Sequence, residues 1–110
     1  MSREFFSNFE LMVLLAVIRL GENAYGVPIA EAIEEHTGRD VIQASVYNAL
    51  DRLEEKGLLS SRFGDPTPER GGKAKRYFKV TAKGLREARA AKSALTAMWQ
   101  GIPTLEGARA

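Results

Sequence analysis

The stretch ERGGKAKRYFKVTAKG, Glu69–Gly84, decides how the rest of the chain is read. It brings together the adjacent glycines Gly71 and Gly72, a run of lysine and arginine, the aromatic pair Tyr77-Phe78, and Thr81-x-x-Gly84. Three kinds of surface use such a mixture: a phosphate-binding loop of an enzyme, a solvated turn, or a hairpin that grips nucleic acid. The enzyme loop fails on spacing. A P-loop needs Gly-x-x-x-x-Gly-Lys-Ser/Thr. Here Gly72-Lys73 is followed by Ala74, and the first glycine position falls on Thr67. The lone His36 lies in a helical pattern with no supporting ligand, and no nucleophile, base and orienting acid suggest themselves. No catalytic residue, metal site or cofactor is therefore expected.

Outward from the glycines lie two β-like runs, LLSSRF (Leu58–Phe63) and KRYFKV (Lys75–Val80). Alternation puts Leu59 and Phe63 on one pleat face, as it does Phe78 and Val80. The intervening GDPTPERGGKA, with its prolines and glycines, reads as a long polar hairpin tip. Charge is divided unevenly. Residues 1–61 hold five Lys/Arg against ten Asp/Glu, and residues 62–83 hold seven against two. A basic hairpin on an otherwise acidic chain is the footprint of a phosphate-contacting element, although a merely solvated hairpin has the same composition.

Upstream, Ser7 and Glu10 form a capping box before the apolar run Leu11–Ile18, so a helix should run to about Leu20 and stop at Gly21. That run is too short to span a bilayer. With no cysteine and no signal segment, a cytoplasmic protein without a membrane partner is expected. The apolar residues wrap beyond one stripe, which suggests one face on the chain's own core and one on another chain; the alternative is a helix fully enclosed by its own chain, for which so short a chain leaves few elements. A second helix follows, with Pro28 in its first turn and Gly38 as its stop. In QASVYNALDRLEEKG, Val46, Leu50 and Leu53 share one helical face, and Ser45, Asn48, Asp51 and Arg52 share the other. Glu54 and Glu55 read as solvated helix carboxylates. Two helices around a short link make a helix-turn-helix pattern, whose second helix would enter the major groove. Thr81 caps a last helix with the seam Leu85, Ala88, Leu95, Trp99 and Ile102, flanked by Met98, which suits a helix-to-helix contact.

The order helix, helix, helix, strand, glycine-rich tip, strand, long helix is that of a winged helix-turn-helix. The fold class is α+β and mostly α, with an N-terminal helix and a long C-terminal dimerisation helix. Residues 1–82 form the DNA-binding part and 83–110 the dimerisation helix and tail, as one compact unit. With these residues in place the chain resembles the PadR family of bacterial transcriptional regulators. The resemblance rests on the leucine-rich first helix, on Tyr25-Gly26, and on VYNALDRLEEKGLL with Tyr47, Leu50, Leu53, Glu54, Gly57 and Leu58. It rests also on the wing pattern Gly71, Gly72, Lys73, Arg76, Tyr77, Phe78, Val80, Thr81 and Gly84. It covers Phe9 to about Leu95. Ala44 stands where many members have glycine, and Phe78 replaces a second tyrosine. The short C-terminal part resembles the compact subgroup with a single dimer-forming helix.

The resemblance implies a homodimer on double-stranded DNA, usually a repressor and often released by a small molecule. DNA-binding residues are expected at Gln43, Ser45, Tyr47, Asn48 and Arg52 on the third helix, where Asn suits adenine and Arg suits guanine. Tyr47 is either a phosphate contact, as the family suggests, or a half-buried core residue. On the wing the candidates are Lys73, Lys75, Arg76 and Tyr77. Replacing Lys73 and Arg76 with alanine should flatten the salt dependence of binding, whose log–log slope is near −5 for about six phosphates. The dimer interface is expected at Leu11, Leu14, Leu15, Leu85, Ala88, Leu95, Met98, Trp99 and Ile102. Trp99 is also the candidate ligand-binding residue for a small-molecule effector, against simple packing in the interface. The rival reading is a winged helix that binds protein, suggested by the acidic first half and by Asp51 on the reading face.

Overall fold

The computed structural model describes residues 6–65 and 74–105. Helix α1 spans Asn8–Leu20, and a 3-10 turn over Gly21–Asn23 leads to α2 (Gly26–Thr37) and α3 (Gln43–Glu55). Strands β1 (Leu59–Phe63) and β2 (Arg76–Val80) pair antiparallel, with Leu59 opposite Val80, Ser61 opposite Phe78 and Phe63 opposite Arg76. Helix α4 (Ala82–Trp99) follows.

The helix starts and stops follow local chemistry. The Ser7 hydroxyl accepts from the Glu10 amide at 3.0 Å, and the Glu10 carboxylate accepts from the Ser7 amide at 3.3 Å. These two bonds satisfy donors that the first turn of a helix leaves unpaired. Gly38 ends α2 in the left-handed region at φ 73°, and Gly57 turns the chain out of α3 at φ 78°, a conformation that costs other residues a Cβ clash. Thr81 caps α4 by accepting from the Gly84 amide.

The core is the meeting place of α1, α2, α3 and the inner face of the hairpin. Val13, Leu14, Val17, Ile29, Val46, Leu50 and Leu53 lose essentially all contact with solvent, and Leu58, Leu59 and Phe78 close the sheet side. Each such side chain contributes about 1.5–3 kcal/mol of burial. The Phe78 amide donates to the Ala24 carbonyl at 2.8 Å, fastening β2 to the turn that joins α1 to α2.

Several expectations are corrected here. Leu14, expected at the dimer interface, lies wholly inside the protomer and offers no surface to a partner, whereas Ala88, though largely buried, lines the floor of a groove with Leu11, Leu15, Leu85 and Leu95. Phe63 shares a strand face with Leu59 but is 69% exposed, because the core ends before the hairpin does. Ile102 lies beyond α4, which closes at Trp99. In α4 only Gly84 and Ala88 are buried, and from Lys92 onward every helical residue is exposed. The helix leaves the core as an arm. The resulting radius of gyration, 16.1 Å, exceeds the roughly 13 Å of a compact chain this long.

The Thr-x-x-Gly of the opening stretch is the pivot of that arm. The Thr81 hydroxyl donates to the Gly57 carbonyl at 2.7 Å, and the Thr81 amide donates to Leu58 at 3.1 Å. A Cβ on Gly84 would lie 2.2 Å from the Leu58 carbonyl oxygen. Only glycine lets the first turn of α4 lie on the α3–β1 corner.

Candidate nucleic-acid interface

Helix α3 buries Val46, Ala49, Leu50 and Leu53 and turns Tyr47, Asn48, Asp51 and Arg52 to solvent. Gln43 and Ser45 are half-buried at its start. Tyr47, 40% exposed, has its hydroxyl against Gly26, where a Cβ would sit 2.1 Å from that oxygen. The Gln43 amide nitrogen reaches the same spot, 3.0 Å from such a Cβ. The glycine of the Tyr25-Gly26 pair is thus the seat on which the start of α3 rests.

Tyr25 carries that surface on to the wing. Its ring meets Tyr77 edge-on, with centroids 5.3 Å apart. The Lys75 ammonium lies 4.4 Å above the Tyr25 ring and donates to its hydroxyl at 3.3 Å, while Arg62 covers Tyr77 from 5.0 Å. An aromatic face attracts a cation without neutralising it, and among the described residues Lys75 has no carboxylate partner, whereas Arg62 also lies 3.9 Å from the Glu22 carboxylate. The start of α3, the start of α2 and the base of the wing therefore form one continuous surface. Among the described residues, the base of the wing and the exposed side of α3 adjoin. Lys73 lies outside the described residues, as do Gly71 and Gly72.

Two arginines depart from expectation. Arg76, expected to grip phosphate, faces inward from the wing onto α3: its Nη1 bonds Asp51 at 3.2 Å, its Nη2 bonds Glu54, and its Nε donates to the Ser61 hydroxyl at 3.2 Å. Glu54, expected to be solvated, is half-buried and also accepts from Ser61 at 2.8 Å. Arg52, expected on base edges or phosphates, uses its Nε on Glu10. The Arg76 guanidinium is occupied by carboxylates, and engaging DNA would require giving up those bonds; Arg52 bonds Glu10 through Nε alone, and its side chain is 49% exposed.

Glu10 is the functional residue that sequence reasoning read too narrowly. Beyond its capping role it is buried, and it binds Arg52 and, at 3.2 Å, Lys56. Burial alone pushes its carboxyl up, but hydrogen bonds from Arg52, Lys56 and the Ser7 amide outweigh this and hold it below the ordinary carboxylate value. The ion cluster ties the start of α1 to the end of α3. A glutamate at the head of an apolar helix was the signal for it. Tyr25, noted only as part of a motif, is the second addition.

A helix-turn-helix followed by a two-stranded wing and a projecting helix defines a winged helix-turn-helix transcription regulator. Residues 14–90 match the model of the transcriptional regulator PadR-like family. The chain belongs to that family, whose members are DNA-binding regulators rather than enzymes. Among solved structures it is similar to a PadR family transcriptional regulator from Eggerthella lenta DSM 2243, at 28% identity and a TM-score of 0.70 over 88% of this chain and 82% of that one. A transcriptional regulator from Clostridium thermocellum shares the fold at 21% identity and a TM-score of 0.72, over 88% and 91% of the two chains. A PadR-like regulator from Bacillus cereus strain ATCC 14579 does so at 21% and 0.61, over 86% and 93%. No curated protein matches the chain. Among the described residues no helix is long and apolar enough to cross a membrane.

Proposed function

We propose that the protein is a homodimeric repressor of transcription that binds a pseudo-palindromic operator. The observation that carries this reading is the adjacency of the exposed side of α3 to a wing base bearing Lys75 and Arg62 over tyrosine faces. Asn48, exposed on α3, is the base-reading candidate, with Ser45 and Gln43 beside it. Tyr47, Lys75 and Tyr77 are assigned to the phosphate backbone, where contacts position the protein without reading sequence.

The dimer is assigned to α1 and the α4 arm. Leu15, Leu95, Met98, Trp99 and Ile102 are all exposed, and Leu11 and Leu85 are half-buried beside them. So many large apolar side chains on α1 and the arm call for a partner. A second copy places two reading helices about 34 Å apart, one turn of duplex. Trp99, 55% exposed near the end of the arm, is the residue offered to a planar aromatic effector at that junction. The rival protein-binding reading drew on Asp51, whose charge Arg76 offsets.

The test is a gel shift with duplex from upstream of the protein's own gene, at stated salt, against a scrambled duplex. The expected result is a shift with the upstream duplex that survives excess scrambled competitor. Equal affinity for both duplexes would contradict sequence-specific regulation.

A further inference from the structure

We infer that Arg76 is a positioning residue of the DNA surface, not a phosphate ligand: it locks the wing to the reading helix and offsets part of the negative charge that Asp51 and Glu54 would otherwise present to the duplex. The inference rests on the DNA-binding reading above. Arg76 opens β2, and strand alternation sends it and Phe78 toward α3 and the core, while Tyr77 turns to Tyr25. Its three guanidinium nitrogens each have a partner: Ser61 on β1, and Asp51 and Glu54 on successive turns of α3. The guanidinium also lies 4.9 Å over the Phe78 ring, and its side chain is 33% exposed. One planar fork thus joins both strands to one helix, a geometry that the single ammonium of lysine does not reproduce.

Charge points the same way. Arg76 with Asp51 and Glu54 sums to −1, so moving the arginine to a phosphate would strand two carboxylates beside a polyanion. Like charges brought together in this way repel strongly. Lys75, one residue earlier, has no carboxylate partner among the described residues and rests on Tyr25. Neighbouring cations of the wing therefore have different tasks. Lys75 faces the duplex, and Arg76 sets the angle at which the wing meets it.

The experiment measures the affinity of the full chain for the upstream duplex across a potassium chloride series, together with thermal melts. The proteins are wild type, R76A, D51N/E54Q and R76A/D51N/E54Q. R76A is expected to bind about tenfold or more weakly with an unchanged log–log salt slope. In the D51N/E54Q background, removing Arg76 is expected to change affinity by less than about threefold, since neither carboxylate remains to be offset. A phosphate ligand behaves differently: the slope drops by about 0.9 per protomer, and the loss is as large in the neutralised background. That pattern would overturn the inference. If R76A fails to fold, the comparison of D51N/E54Q with the triple variant decides alone. If wild type shifts no duplex, the DNA reading itself has failed. The lock is then judged by the melts, where R76A should lower Tm in the wild-type background much more than in the neutralised one, and equal losses would refute it.

Discussion

Two glycines with similar close contacts have opposite prospects, because of what they touch. At Gly84 a methyl group meets the Leu58 carbonyl oxygen at 2.2 Å and the Val80 side chain at 2.7 Å, and backbone cannot swing aside. Gly84→Ala should cost about 2–3 kcal/mol, measured by denaturant melt; a neutral result would refute the close-approach account. At Gly26 the obstacle is the far end of Tyr47, a partly exposed side chain that can rotate away. Gly26→Ala should change stability by less than about 1 kcal/mol, yet weaken DNA binding by displacing the tyrosine. Normal affinity in that variant would remove Tyr47 from the interface. Glu10 adds a pH dependence. Its carboxyl is held below the ordinary value, so its contribution is complete above the usual carboxylate range and is lost as pH falls through and below it. Glu10→Gln keeps a capping side chain but drops the charge, and should cost about 1–3 kcal/mol at neutral pH. The gap in Tm between the two proteins should narrow progressively as pH falls below the ordinary carboxylate range. A gap that stays constant would assign the effect to packing instead.

At the scale of elements, the wing and α3 work as one unit, and their cations are unequal. Lys75→Ala should reduce the salt slope by about 0.9 per protomer while leaving the melt nearly unchanged, since among the described residues the ammonium touches just the Tyr25 ring and hydroxyl. An unaltered slope would remove Lys75 from the backbone contacts. Most elements were legible beforehand, because their signals are local. Ser7 with Glu10, Gly21, Gly38, Gly57 and Thr81 mark ends through hydrogen bonds and backbone angles settled within a few residues. The apolar spacing of Val46, Leu50 and Leu53 likewise named the buried side of α3. Less legible were the tasks of Arg52, Glu54 and Arg76. Their partners lie 42, 22 and 25 positions away in the chain, and no periodicity reports a pairing at that range.

For the whole molecule, the α4 arm is the feature to test. Sedimentation or light scattering should find a dimer at micromolar concentration, and Leu95→Glu should give a monomer with much weaker operator binding, having lost the second half-site. Trp99 is the sole tryptophan, so its emission should shift red on dilution through dissociation. A monomeric wild-type chain would refute the arm's role. The assignment of the dimer face shows where sequence reasoning stopped. Leu14 and Leu15 are adjacent and chemically alike, yet one is sealed in the core and the other is 44% exposed. Composition, capping and spacing by themselves determined the element order of a winged helix-turn-helix and the basic ribbon, since each rests on short-range chemistry or on a count, and the sequence motifs carried the resemblance to the family. Tertiary structure alone decided which charges are paired inside the molecule and which stay exposed at its surface. A charge's availability depends on the neighbours that folding brings to it, and those neighbours come from distant parts of the chain.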